Sequence, residues 1–322
     1  GKRNWAGNLE FRAARVHQPS TVDEARRIVV GSDRVGVVGA AHSFNDIADT
    51  TGDLISTAGL DRIAGIDTSA GTVTFGAGVR YGELGRYLNE RGWALRNLAS
   101  LPHLSTVGAV TTGTHGSGSG NQSLSAAVRG LELLTADGDL LAIDHRDPRR
   151  PGMVVGLGAL GLITSLTVEI VPTFPVQQDV YLDLPIATAI DSLHEILDSA
   201  YSVSLFSCWA GPTIDQVWVK RTIGAEGPVA APRSRWGADW SPGDVHPIPG
   251  LPAEPCTPQR GVPGPWYERL PHFRLAHTPS GGEELQSEYF VDRTHGPAAL
   301  AALSELAPEV RELLLTSEIR AI

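Results

Sequence analysis

Val22, Ala25 and Val29 recur at helical intervals behind Thr21 and Glu24, which have the spacing of a capping box, so the pattern predicts a helix over 21–31. A short valine-rich run at 34–38 reads as a strand that ends in a turn of mostly small residues, Gly39-Ala40-Ala41-His42-Ser43-Phe44-Asn45. Further strands are predicted at 54–56 and 72–75, and a helix over 82–91 with Leu84 and Leu88 on one face. The stretch 102–123 is mostly Gly, Ser, Thr, Val, Ala and His, too poor in large side chains for a core element and too apolar for a linker. It reads as a loop that wraps a ligand. The runs 128–135 and 140–144 flank Asp137-Gly138, a hairpin signal, and 162–171 alternates as another strand.

After Pro172 the pattern restarts. Helical spacing returns over 186–201, and 202–222 reads as two strands rich in β-branched and aromatic residues. Between 228 and 266 lie ten of the 22 prolines and three tryptophans, which marks a long irregular excursion packed through its indoles rather than a flexible linker. Helices are predicted at 296–306 and 308–315, with a strand beginning at 316–322. The expected class is α+β in two domains, 1–172 and 173–322.

Composition narrows the function classes. With 42% hydrophobic and 19% charged residues, the 322-residue chain can bury a large core. A net charge of −10 repels phosphate backbones and argues against a nucleic-acid partner. The richest apolar run, 154–166, is broken by glycines and Thr164, so no membrane span is expected, and the N-terminus lacks the apolar stretch of a signal peptide. Cys208 and Cys256 have no C-x-x-C spacing, which predicts free thiols and a cytoplasmic setting. His42, His103 and His115 are too widely spaced for a helical metal pair, and no metal site is expected.

Gly156-Leu157-Gly158-Ala159-Leu160-Gly161 matches G-x-G-x-x-G, but an alternating β-branched strand follows where a nucleotide-binding fingerprint needs a helix. It reads as a glycine turn. Gly116-Ser117-Gly118-Ser119-Gly120 has glycine where a nucleophile elbow needs serine. What remains is two loops, 37–45 and 100–121, each rich in small residues, poor in charge and carrying histidine. Their backbone N–H groups can form nests for a diphosphate, and absent side chains let a ligand approach closely. Either loop alone is better read as a tight turn between strands; two such loops favour a ligand.

Taken together, Val38-Gly39-Ala40-Ala41-His42-Ser43-Phe44-Asn45, Leu98-Ala99-Ser100-Leu101-Pro102-His103, the Thr111-to-Gly118 run and Gly158-Ala159-Leu160-Gly161 resemble the FAD-dependent alditol oxidases, which act on xylitol and sorbitol, of the vanillyl-alcohol oxidase superfamily. The resemblance continues through 201–206, 261–266, 285–289 and Glu318-Ile319-Arg320. It implies a two-domain flavoprotein of the vanillyl-alcohol oxidase and p-cresol methylhydroxylase type, with FAD attached covalently through His42. Val37, Val38, Gly39, Ala40, Ala41, Ser43, Ser100, Ser105, Gly108, Thr112, Gly113, Thr114, His115 and Ile163 match positions that line the cofactor. Glu318 and Arg320, two apart on a strand, share a face, where a carboxylate that accepts and a guanidinium that donates suit a neutral polyol. By resemblance they are the substrate-binding and catalytic pair, with Ser100 as a third substrate contact. The family's further C-terminal strands have no counterpart here, so the second domain is expected to be incomplete. The implied partners are a polyol and dioxygen, giving aldose and peroxide, on a monomer. A sugar-lactone oxidase of the same superfamily and a catalytically silent FAD-binding module are the alternatives.

Overall fold

The computed structural model describes residues 2–277 and 284–322. Two compact units emerge, one holding residues 2–115, 123–172 and 284–286, the other holding 116–122, 173–277 and 287–322.

In the first unit, β1 (Arg15–His17) leads into α1 (Val22–Val30), then β2 (Val35–Val38) and β3 (Asp53–Ser56), and the three strands form a parallel sheet in the order β1-β3-β2. The helix starts where its cap is built: Thr21 accepts from the Glu24 amide, and the Glu24 carboxylate accepts from Ser20. Ala25 and Val29 turn inward onto Ile55, Leu134 and Leu162. The antiparallel sheet comprises β4 (Ile63–Asp67), β5 (Thr72–Gly76), β7 (Val128–Leu134), β8 (Leu140–Ile143) and β9 (Leu162–Glu169), ordered β4-β5-β9-β7-β8. Between its strands come α2 (Tyr81–Asn89), the short β6 (Trp93–Ala94), α3 (Thr106–Thr111) and α4 (Arg150–Val154); β10 (Val171–Pro172) pairs with β6.

The predicted elements of this unit are present, but 102–123 is not loop throughout. Its small residues form the single-turn helix α3, whose Val107, Ala109 and Val110 are buried. The 156–161 segment is a turn, with Leu157 and Gly158 at φ 55° and 74°, and it feeds directly into β9.

In the second unit β11 (Pro175–Pro185) is the longest strand and was not expected from the pattern. The 186–201 segment is two helices, α5 (Ile186–Asp191) and α6 (Leu193–Asp198), broken at Ser192. Strands β12 (Ser202–Ser207), β13 (Thr213–Thr222), β14 (Ser234–Arg235), β15 (Ala238–Trp240), β16 (Gly264–Pro265) and β17 (Ser317–Arg320) complete an antiparallel sheet ordered β14-β15-β11-β13-β12-β17, with β16 beside β11. The two expected C-terminal helices are one, α7 (Gly296–Val310), because Pro308 falls in its last turn and costs only one backbone bond.

Alternation gives this sheet two distinct faces. Val203, Leu205, Val217, Val219 and Ile319 pack with α5, α6 and Leu300 of α7 in an apolar layer. The opposite face carries Ser204, Phe206, Gln216, Trp218, Lys220, Glu318 and Arg320, brought level by the β12–β13 and β12–β17 registers. Among the described residues no helix is long and apolar enough to cross a membrane, and both cysteines are free.

Candidate functional site

The chain leaves β2 at Val38 and turns sharply. Gly39 has no room for a side chain: a Cβ there would meet Ser105 Oγ at 2.1 Å, and one at Gly108 would meet the same oxygen at 2.6 Å. Ser105 stands at the N-terminus of α3, and its hydroxyl accepts from the Ala40 amide at 3.3 Å. The two glycine-rich loops are thus fastened together at Gly39, Ser105 and Gly108. Ala41 takes a left-handed conformation, φ 58°, of the kind that costs a non-glycine residue about 1 kcal/mol or more and recurs at functional sites.

His42 follows. Its Nδ1 lies 3.0 Å from the Ala40 carbonyl oxygen, while Nε2 is buried without a hydrogen-bond partner. Burial pulls the imidazole down to about 4, against a smaller opposing effect of the Ala40 carbonyl, so the ring is neutral at pH 7 with a nitrogen lone pair available. An orphaned buried nitrogen lies beside a cradle that any Cβ would fill, and such a loop of unpartnered and absent side chains fits FAD.

The chain's first residues hold this loop. Trp5 stacks on His42 with ring centroids 5.2 Å apart and planes at 14°, and its amide donates to the Ala41 carbonyl at 2.7 Å. Asn4 Nδ2 donates to the Ser43 carbonyl at 3.0 Å, and Asn8 Nδ2 to that of Phe44. Nothing in the sequence pattern singled out these residues.

The remaining candidates of the first unit are placed around the same loops. Val38 is buried with Phe11 and Leu54, and Val37 packs against the α1 cluster. Thr112 Oγ1 donates to the Gly108 carbonyl, Gly113 turns the chain at φ 74°, and the Thr114 amide returns to Ala109. His115 is buried, Ser100 is half-buried, and Ile163 sits on β9, against which α3 lies.

In the second unit, Glu318 and Arg320 do project together from β17. Arg320 Nη1 lies 3.6 Å from Glu318 Oε2, and each side chain keeps only 20% of its exposure. Arg320 Nη2 also reaches Glu288 Oε1 at 3.1 Å. This is not a solvated surface pair. Glu318 Oε1 is 3.0 Å from His272 Nε2. Burial opposes the charge on Glu318, but Arg320 and then His272 outweigh it and hold the carboxyl well below its usual range. His272 and its neighbour Lys220 were not among the residues expected from sequence.

Residues 13–144 match the family described as FAD binding domain. Over 322 residues the chain is 46% identical to an alditol oxidase of Streptomyces sp. (strain IKD472 / FERM P-14339), covering 99% of this chain and 76% of that protein. It is 33% identical over 175 residues to an L-gulono-1,4-lactone dehydrogenase of Mycobacterium tuberculosis, which covers 53% of this chain and 41% of that one. Among solved structures, cholesterol oxidase from B. sterolicum superposes with a TM-score of 0.60 at 18% identity, over 72% of this chain and 48% of that one, a likeness of fold.

Proposed function

The chain belongs to the alditol oxidase family of FAD-dependent oxidoreductases, and on that footing we propose that it oxidises the primary alcohol of alditols such as xylitol and sorbitol to aldoses, with dioxygen reduced to hydrogen peroxide. The observation that carries the polyol assignment is the Glu318–Arg320 pair, an acceptor and a donor 3.6 Å apart on one strand face. A carboxylate accepts from one hydroxyl while a guanidinium donates to a neighbouring one, which orients a vicinal diol without requiring charge on it. Holding the carbon chain in one pose is a contribution the protein itself makes to such a reaction.

FAD, when bound, supplies the hydride acceptor and the route to dioxygen. The segment 37–43, Ser105, Gly108, 112–115 and Ile163 would hold it, with His42 as the covalent attachment point. The neutral, partly enclosed imidazole supports that role, since only an unprotonated nitrogen can form the bond. We assign the cofactor to the unit of residues 2–115, 123–172 and 284–286 and the substrate to the unit that also takes 116–122, a departure from a single boundary at Pro172. Two free thiols suit a reducing, cytoplasmic compartment.

The test has two readouts. Acid precipitation of the purified yellow protein should leave the flavin spectrum in the pellet for the wild type and in the supernatant for His42→Ala. Glu318→Gln and Arg320→Ala should lower kcat/KM for xylitol by about one to two decades, the loss of one charge-assisted hydrogen bond of roughly 1.5–3 kcal/mol, with flavin content unchanged. Absence of peroxide with both xylitol and sorbitol would overturn the assignment, and turnover of a sugar lactone instead would favour the lactone oxidases.

A further inference from the structure

Lys220 is among the most deeply buried charged groups of the second unit, 1% exposed, and the alditol reading alone gives it no task. Its ammonium has three neighbours and three hydrogens: the Leu270 carbonyl at 2.5 Å, the Pro271 carbonyl at 3.0 Å and His272 Nδ1 at 3.3 Å. Burial lowers Lys220 to about 7; in its ammonium form it cannot accept, so Nδ1 does, and the proton of a neutral imidazole then sits on Nε2. The other end of the ring gives the same answer. Nε2 faces Glu318 Oε1 at 3.0 Å, and a carboxylate also only accepts.

His272 is 4% exposed and cannot turn freely, because Phe206 and Trp218 meet its ring edge-on with centroids 5.3 and 5.2 Å away. Burial, reinforced by the nearby charge of Lys220, pulls it to about 4, so it donates as a neutral ring. With Oε1 engaged by His272 and Oε2 turned toward Arg320, Glu318 is fixed from both sides.

We propose that Lys220 and His272 are positioning residues for Glu318: Lys220 locks the Nε2–H tautomer of His272, and His272 holds the carboxylate in the orientation that accepts the substrate hydroxyl. Neither touches substrate. The inference rests on the alditol reading for its kinetic consequence but not for its chemistry. It distinguishes this arrangement from a buried lysine that merely satisfies two loop carbonyls, since that role would leave the tautomer of His272 undetermined.

Two measurements decide it. Nitrogen-15 NMR of the histidine-labelled wild-type holoenzyme at pH 7 should show His272 neutral, with the proton on Nε2 and Nδ1 as acceptor; an Nδ1–H ring or an imidazolium overturns the proposal. In kinetics, His272→Phe keeps the ring shape but removes the donor, and kcat/KM for xylitol should fall roughly ten- to hundredfold, as about 1 Å of misplacement can cause. His272→Gln, whose amide can donate to Oε1, should recover most of that loss, and Lys220→Met should reproduce the His272→Phe defect with bound flavin unchanged. Equal kcat/KM in His272→Phe and wild type overturns the proposal. If the wild type oxidises no alditol, the oxidase reading falls, and the NMR result alone then decides the tautomer lock. The same holds if the variants do not fold.

Discussion

Gly39→Ala is the sharpest test of the flavin-loop geometry. Gly39 has an ordinary backbone conformation, so alanine introduces no backbone strain and its whole effect is the space it takes. The new Cβ would lie 2.1 Å from Ser105 Oγ and 3.2 Å from Ser105 Cβ. Relief takes roughly 1 Å of movement or a rotation of the Ser105 side chain. Either breaks the hydrogen bond that Ser105 accepts from Ala40, worth about 0.5–1.5 kcal/mol. Overpacking adds about 1–3 kcal/mol. Together they predict a loss of about 2–4 kcal/mol, or roughly 4–16 °C in Tm for a unit of this size. Thermal denaturation followed by flavin fluorescence reads the stability, and the ratio of flavin to protein absorbance reads occupancy, which should fall too. Ser105→Ala in the same chain removes the 2.1 Å collision, so the double variant should be more stable than Gly39→Ala alone. Wild-type Tm and flavin content in Gly39→Ala, or additive losses in the pair, would refute the fastening of the two loops at this point.

Removal of the Trp5 indole by Trp5→Ala should slow covalent flavin incorporation about two- to tenfold, the equivalent of an aromatic stacking contact of roughly 0.5–1.5 kcal/mol; reconstitution of unflavinylated protein with FAD, followed by acid precipitation at intervals, measures it, and an unchanged rate removes Trp5 from the site. Acid stability follows from His272: its folded value near 4 lies below the ordinary 6.5, so between these the unfolded chain binds a proton that the folded one does not. Its contribution to stability is therefore complete above pH 6.5 and lost as pH falls toward 4, by about 2 kcal/mol at pH 5, and urea midpoints at pH 7 and 5 should converge less for wild type than for His272→Phe. Equal pH sensitivity in the two proteins would contradict a neutral buried His272.

Much of the first unit was legible because its signals are local. The Thr21–Glu24 cap, the Asp137-Gly138 hairpin and the alternation of β9 each need only a few consecutive residues. The longest strand was not legible, because three consecutive polar residues interrupt its apolar pattern. Gln177, Gln178 and Asp179 are all buried in β11, each bonded to residues far along the chain: Gln177 exchanges bonds with the Val229 backbone, Gln178 Nε2 donates to the Thr257 carbonyl, and Asp179 pairs with Arg221 and Trp240. Hydrophobic periodicity assumes that polar side chains face water, and it fails where the irregular 228–266 segment supplies the partners instead.

The same reasoning separates the legible from the hidden half of the candidate site. Gly39 and His42 stand out because a loop of small residues has few uses, and Glu318 and Arg320 stand out because residues two apart on a strand share a face. Lys220 offers no such sign: in Val217-Trp218-Val219-Lys220-Arg221-Thr222 it reads as the polar end of a strand, and only the registers that set Ser202 opposite Lys220, and Phe206 opposite Glu318, place its ammonium in the interior. A buried cation left alone would be costly, so its position is sustained by the two carbonyls and the imidazole that meet it. Methionine at this position leaves the two carbonyls and Nδ1 without a donor, so a merely structural lysine predicts a lower melting point for Lys220→Met. A variant as stable as the wild type, with full flavin and reduced turnover of xylitol, would mean that the lysine is retained for the orientation of Glu318 and not for the fold.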